Sequence, residues 1–231
     1  MTVLRKYWKR CIDAVVGASW SARRSCRCVA LCLVLLAVQM GFGPPVLAQS
    51  ADQTVQASSF IDALGRDAIS VMAAKSLGKA ERLERYRVLL NRGFDLPTIG
   101  RFVLGRYWVV ATPAQQHDYL PLFEEMVTRS YALMFDSYDG QTFRVLSNRK
   151  EANGDVIVAS EVLQPKGPPV RVEWRVRTRD IGMRIIDVVI DGVSMSVTQR
   201  QEFASVIQAK GGNIDAFLRA LRDKNIAMAN D

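Results

Sequence analysis

The sequence predicts an α+β fold in which N-terminal helices, a bent antiparallel sheet of about four strands and C-terminal helices follow one another. Two changes in hydrophobic period indicate this order. Apolar residues recur at the helical period up to Met134, then alternate with polar residues between positions 142 and 191, and then return to the helical period. Helices that flank one antiparallel sheet in sequence typically cover one of its faces, which is the α+β arrangement.

The first 48 residues are predicted to be a signal peptide that is cleaved after Ala48. A basic region with Arg5 and Lys6 precedes an uncharged apolar run, and small or medium residues occupy positions 46–48. An uncleaved membrane anchor is the alternative, because positions 28–47 give 20 uncharged residues, nominally enough to span a bilayer. Glycines and prolines at positions 41–45 interrupt that run and favour cleavage. The predicted organisation is therefore a signal peptide, residues 1–48, and a single domain, residues 49–231.

The signal peptide also explains the chain's positive charge and its cysteines. The whole chain has a net charge of +8, but residues 1–48 contain seven of the 31 Lys/Arg, one of the 23 Asp/Glu and all four cysteines. The remaining domain is nearly neutral, so nucleic-acid binding is not predicted. It has one histidine, His117, and no cysteine, which excludes a Cys-His pair and a multi-histidine metal site. Without a nucleophile elbow or a phosphate-binding loop, the domain is predicted to be non-enzymatic, with no metal and no cofactor.

Four helical segments are predicted before the sheet. Thr112, Pro113 and Gln115 form a capping-box pattern, which marks the start of the longest helix. Gly100 and Gly105 are expected to break the dense apolar stretch before it. The segments are 52–74, 78–91, one or two short helices within 94–112, and a long helix from 113. The apolar stripe of the first segment is assigned to Val55, Phe60, Ala63, Leu64, Ile69 and Val71.

The predicted strands are joined by turns too short for parallel crossovers, so the sheet is expected to be antiparallel. The strands are 142–147, 155–163, 169–178 and 183–191, and two further helices are predicted at 198–210 and 213–224. The third strand alternates strictly: Val170, Val172, Trp174 and Val176 on one face, Arg171, Glu173, Arg175 and Arg177 on the other. One face of the sheet is therefore predicted to be apolar and the other solvated.

Three features of the predicted domain suggest chemistry or binding, each with an ordinary structural alternative. Asp187 and Asp191 are four residues apart in the last strand. This spacing fits a metal-binding or acid–base pair, and it equally fits a solvated strand face. The arginines of the third strand fit a docking surface or simple solubility. The large supply of aromatic and methionine side chains fits either an ordinary core or an apolar cavity between sheet and helices.

Four segments of the chain together resemble one known family. They are residues 94–116, with the sequence FDLPTIGRFVLGRYWVVATPAQQ, the following helix with Tyr131, the turn near Tyr138, and the strand end DVVIDGVSM at 187–195. Over about residues 55–225 the chain resembles the toluene-tolerance, or MlaC, family of periplasmic lipid carriers. The resemblance implies a periplasmic protein that binds a phospholipid with its acyl chains between sheet and helices. It further implies that the lipid is exchanged between an outer-membrane lipoprotein complex and an inner-membrane ABC transporter complex.

Lipid-lining residues follow from this resemblance as a hypothesis. The strand positions take the apolar phase, and the helical positions are the large residues expected nearest the sheet. The predicted lining is Phe102, Trp108, Met126, Tyr131, Met134, Val172, Trp174, Ile186 and Val188.

Two alternatives remain open. The family includes relatives associated with hopanoid production, so the cargo is either a phospholipid or a rigid polycyclic lipid. A small exported enzyme with a pocket carboxylate, such as Asp187 or Glu161, is the alternative from another functional class.

Overall fold

The computed structural model describes residues 46–132 and 138–230, which contain seven helices and one five-stranded antiparallel sheet. The helices before the sheet are α1 (Val46–Ala73), α2 (Lys79–Gly93), α3 (Leu96–Leu104), α4 (Arg106–Val110) and α5 (Pro113–Ala132). The strands are β1 (Thr142–Lys150), β2 (Val156–Leu163), β3 (Val170–Arg179), β4 (Gly182–Ile190) and β5 (Val193–Ser194). Two helices end the chain, α6 (Met195–Ala209) and α7 (Ile214–Asn230). The predicted α+β fold and the order of its elements are confirmed.

Residues 1–45, which hold most of the predicted signal peptide, lie outside the described residues, as does Met134. In the part of the chain that the structure describes, no helix combines the length and the hydrophobicity of a membrane span. The signal peptide and its cleavage site stay predictions.

Local signals fix the start of α5 and the break between α3 and α4 as the sequence predicts. The Thr112 backbone N–H donates to Gln115 Oε1 at 3.0 Å, and the Gln115 N–H donates back to Thr112 Oγ1 at 3.2 Å, so the predicted capping box is confirmed. Gly105 separates α3 from α4 with a φ of +59°, a backbone conformation that favours glycine. The predicted break at Gly100 is wrong: this glycine lies inside α3, where a Cβ atom would come within 3.0 Å of the Phe123 ring on α5.

The sheet is a meander with the strand order β1-β2-β3-β4-β5. Two register shifts, at Leu146 in β1 and at Ile186 in β4, insert one extra residue each. Such bulges bend a strand and change which side chains face each side. In β4 the bulge puts Ile185 on the helix-facing side, where it is 0% exposed and packs with Val176, so the strict alternation predicted through Ile186 is wrong there.

The apolar interior consists of two clusters. The helix cluster joins α3, α4, α5, α6 and α7 around Tyr119, which is 0% exposed and has four aromatic rings within 6.3 Å. The sheet cluster joins α1 and α2 to the strands, with Ile61, Leu64 and Leu89 against Val158 and Val176. The helices thus both cover the sheet and form a bundle of their own.

The opposite face of the sheet carries cross-strand ion pairs. Arg144 Nη2 lies 2.9 Å from Glu161 Oε2, and Arg149 Nη1 lies 2.9 Å from Glu173 Oε1. Val172 and Val176 of β3 are buried, whereas Arg171 is exposed. The predicted division of β3 into an apolar and a charged face is confirmed, and its arginines serve at least to pair acidic neighbours.

Candidate functional site

An apolar cavity lies between α1, α2 and β3, and we call it the sheet cavity. Its volume is about 80 Å³. No charged side chain is among its lining residues, which are Ile61, Leu64, Gly65, Ala68, Tyr86, Leu89, Leu90, Phe94 and Trp174. Such a lining attracts an apolar group.

Trp174 is the largest side chain of the sheet cavity, and the sheet itself satisfies its polar atom. The indole N–H donates to Ser160 Oγ at 2.8 Å, and the Ser160 hydroxyl donates to the Val172 carbonyl oxygen at 3.2 Å. The ring also packs edge-on against Phe143, with centroids 6.3 Å apart. Because the indole N–H is already bonded, the ring presents an apolar surface to the cavity.

Two glycines let the elements around the sheet cavity approach closely. A Cβ atom on Gly65 of α1 would lie 2.5 Å from the Phe143 ring, and one on Gly93 would lie 2.7 Å from Leu64 Cδ2. Real Cβ atoms do not come this close to carbon, so glycine is needed at both positions for the present packing. The two glycines explain why the cavity is narrow.

Tyr86 supplies the one hydroxyl among the residues that line the sheet cavity. Burial raises the pKa of the Tyr86 phenol far above its usual value, and the Tyr131 phenol raises this pKa further. Tyr131 lies at the end of α5, so this electrostatic contact indicates that the end of α5 is close to the cavity. The Tyr86 phenol therefore stays neutral at physiological pH and adds no charge to the site.

A second cavity, of about 250 Å³, opens at the surface between the α3–α4 junction and α6, and we call it the arginine groove. Arg106 and Arg200 line it, together with Gly105 and Tyr107. A Cβ atom on Gly105 would lie 2.7 Å from Arg200 Nε, so the glycine makes room for this guanidinium. The groove has two charged side chains in its lining, whereas the sheet cavity has none.

The nine residues predicted to line a lipid site are not all brought together. Trp174 lines the sheet cavity, Val188 packs against the sheet cluster, and Tyr131 is close to Tyr86. Val172 is buried in β3, and Ile186 is the extra residue of the β4 bulge. Trp108 and Met126 instead pack in the helix cluster, Phe102 is 41% exposed, and Met134 lies outside the described residues. Their contact with lipid stays a prediction.

Sequence reasoning missed the contribution of α1 to the cavity. Ala57, Ile61, Leu64 and Ala68 follow one another at intervals of four, three and four residues, and all four belong to or pack against the sheet cluster. This regular spacing was the available signal. Of the stripe predicted instead, Leu64 is buried, but Val55 is exposed.

The two carboxylates considered for catalysis have structural partners. Asp187 accepts hydrogen bonds from the Ser194 and Ser196 hydroxyls at 2.7 Å each and from the backbone N–H groups of Val188 and Ser196. It therefore ties β4 to the start of α6. Glu161 pairs with Arg144 on the charged face of the sheet, and neither carboxylate lines the sheet cavity.

The proposed pairing of Asp187 with Asp191 has no support in the geometry. Asp191 lies in the turn after β4 with a φ of +47°, and its Oδ1 accepts a hydrogen bond from the Arg171 N–H. Among residues 46–132 and 138–230, no three His, Cys, Asp or Glu side chains are grouped as metal ligands would be. Both aspartates act in local backbone structure.

The chain is similar to known proteins both in sequence and in structure. The family model described as MlaC protein matches residues 63–223. The solved structure of the phospholipid-binding protein from Ralstonia solanacearum, in complex with a phospholipid, is similar with a TM-score of 0.65 and 26% sequence identity. That match covers 75% of this chain and 98% of the other. Since the family model covers well over half of the sequence, the chain belongs to the MlaC family.

Proposed function

We propose that the protein binds a phospholipid and carries it through the periplasm, with the acyl chains inserted between the sheet and helices α1 and α2. The observation that carries this proposal is the sheet cavity, whose lining has no charged side chain and contains Trp174. Family membership supports it, as does the similar Ralstonia solanacearum protein, which was solved in complex with a phospholipid.

The apolar lining suffices energetically for such a ligand. Transferring about 15 methylenes from water at about 0.8 kcal/mol each stabilises the complex by roughly 12 kcal/mol per acyl chain before entropic and opening costs. A head group in solvent then needs to contribute little. This accounts for a carrier without a phosphate-binding motif in its sequence.

The sheet cavity must widen to accept an acyl chain. Its volume of about 80 Å³ is well below the roughly 300–1,000 Å³ of typical ligand pockets. Among the contacts that hold α1 to the sheet are two polar ones at its surface, Asn148 Nδ2 to Ser58 Oγ at 2.9 Å and Gln53 Nε2 to Thr178 Oγ1 at 3.0 Å. We infer that separating α1 from the sheet enlarges the cavity, at the cost of few polar contacts.

The carrier role completes the proposal. An insoluble lipid needs a carrier to cross the aqueous gap between two membranes, and a protein exported to that gap supplies one. The proposed partners are an outer-membrane lipoprotein complex and an inner-membrane ABC transporter complex, and the proposed exchange requires opening of the sheet cavity and no covalent reaction.

A disulfide lock tests both binding and opening. The side chains of Ser58 and Asn148 are hydrogen-bonded, so a disulfide between cysteines at these two positions would join α1 to β1. Transfer of a fluorescent phospholipid between donor and acceptor vesicles is measured for S58C/N148C, with S58C as the matched control. We expect the oxidised double variant to transfer lipid slowly and to recover on reduction. Equal transfer in both redox states, once the disulfide is verified by thiol titration, would show that α1 does not move.

A further inference from the structure

The surface around the arginine groove combines basic and exposed apolar side chains on α3, α4 and α6. Arg200 stacks over the Phe102 ring at 5.0 Å, and Arg106 stacks over the Tyr107 ring at 4.9 Å. Arg101, on the same helix as Phe102, stacks over Trp108 at 5.4 Å. These contacts hold the guanidinium groups over aromatic faces and restrict their motion.

The three arginines of this surface are not neutralised by ion pairs with acidic side chains of the described residues. Among residues 46–132 and 138–230, the arginines that form ion pairs do not include Arg101, Arg106 or Arg200. A guanidinium that lies over a ring keeps N–H groups at its edge, and that edge matches the geometry of a phosphate. One N–H of Arg106 is already used, because its Nη2 donates to Tyr107 Oη at 3.0 Å. The surface is therefore complementary to negatively charged phosphate groups.

Apolar side chains project beside these arginines. Val109 and Val110 are 82% and 70% exposed, and both follow Arg106 at the three- and four-residue spacing that puts side chains on one face of a helical turn. Phe102 adds a partly exposed ring at the groove. Exposing neighbouring valines to water is unfavourable, so such a patch indicates an interaction surface.

We propose that this face, made of Arg101, Phe102, Arg106, Val109, Val110 and Arg200, docks the protein onto an anionic lipid surface. The arginines would bind the phosphates of the head groups while the valines enter the boundary between head groups and acyl chains. Basic residues around a small apolar tip are the pattern of interfacial membrane binding. An acidic protein surface is the competing occupant, but it would not need two valines extended into solvent on a five-residue helix.

The proposal is independent of the lipid cavity, because none of these residues lines the sheet cavity. The two can therefore fail separately. A variant of the docking face can lose membrane binding and still carry a lipid. A variant of Trp174 can lose the lipid and still bind the membrane.

Vesicle co-sedimentation tests the proposal with the protein purified after export. The vesicles contain phosphatidylcholine alone or mixed in equal parts with phosphatidylglycerol. We expect binding to the anionic vesicles only, and weaker binding at high salt, since salt screens exposed charges. The substitution R106E should lower the partition coefficient about fivefold or more, and V109S/V110S should lower it by a similar factor.

Two substitutions elsewhere serve as matched controls. R222E reverses an exposed arginine on α7, and V88S removes a 60% exposed valine from α2. Both should bind anionic vesicles nearly as well as the unsubstituted protein, and circular dichroism confirms that each variant is folded. Absence of binding to anionic vesicles, equal binding to both vesicle types, or unchanged binding of R106E and V109S/V110S would each overturn the proposal.

Discussion

Replacing Trp174 by glutamate tests whether the sheet cavity is the lipid site. The substitution removes the largest apolar side chain of the cavity and puts a carboxyl group beside Leu64 and Leu89, where no basic side chain lines the wall. A tryptophan ring contributes about 150–250 Å² of apolar contact area, of which part is lost, and a buried carboxyl without a partner adds about 1–3 kcal/mol. Together these effects lower lipid affinity by roughly 3–5 kcal/mol, which corresponds to about two to three and a half orders of magnitude.

Trp174→Phe is the matched control, because it keeps an uncharged aromatic ring at this position, although it loses the hydrogen bond to Ser160 and part of the indole's volume. It should retain most of the lipid and lose about 1 kcal/mol of unfolding free energy. Phospholipid bound per protein is measured by extraction and mass spectrometry, with circular dichroism to verify the fold. If the glutamate variant is folded and loads lipid as fully as the phenylalanine variant, the acyl chains do not lie against β3 and the site assignment is wrong.

Three other substitutions test the framework around the site. Gly65→Ala should lower the free energy of unfolding by about 1–3 kcal/mol, because its Cβ would overlap an aromatic ring of β1, whereas Gly78→Ala, with no atom within 4 Å, should have little effect in the same urea titration. Arg177→Met should cost about 2 kcal/mol at pH 7. Burial is the largest single influence on the Asp155 carboxyl and raises its pKa, but the hydrogen bonds and charge of Arg177, with smaller contributions from Asn153 and Arg175, together outweigh it and hold this pKa below its usual value. That stabilisation is present above the pKa of an unfolded aspartate and is lost as pH falls through the lower folded-state pKa, so the difference between the two proteins should shrink below about pH 4; an unchanged difference would exclude this role. Asp187→Ala should lower stability by about 1–3 kcal/mol and leave bound lipid unchanged, whereas loss of lipid at undiminished stability would return this carboxylate to the functional site.

The features that could be predicted from the sequence depend on residues close together in the chain. The capping box joins Thr112 and Gln115, which are three positions apart, and the alternation of β3 around Trp174 requires only that a strand form. The order of helices and strands follows from period changes of the same local kind. For this reason the α+β fold was predictable in outline.

The composition of the cavity depends on contacts between distant elements. The β4 bulge that exchanges Ile186 for Ile185 is a property of its pairing with β3, which no single strand encodes. Trp108 and Met126 have the helical period of buried residues, but this period does not indicate which of the two clusters they join. Phe102 stays at the surface under the Arg200 guanidinium, a contact between α3 and α6 that spacing along the chain does not reveal.

The central claim is that the interior between sheet and helices holds a lipid, and the most direct measurement is native mass spectrometry of the exported protein purified without detergent. We predict a mass increase that matches one phospholipid per chain, released on organic extraction, and reduced in Trp174→Glu but not in Trp174→Phe. A protein that carries no lipid as purified, and takes up none when incubated with phospholipid vesicles, would contradict the account.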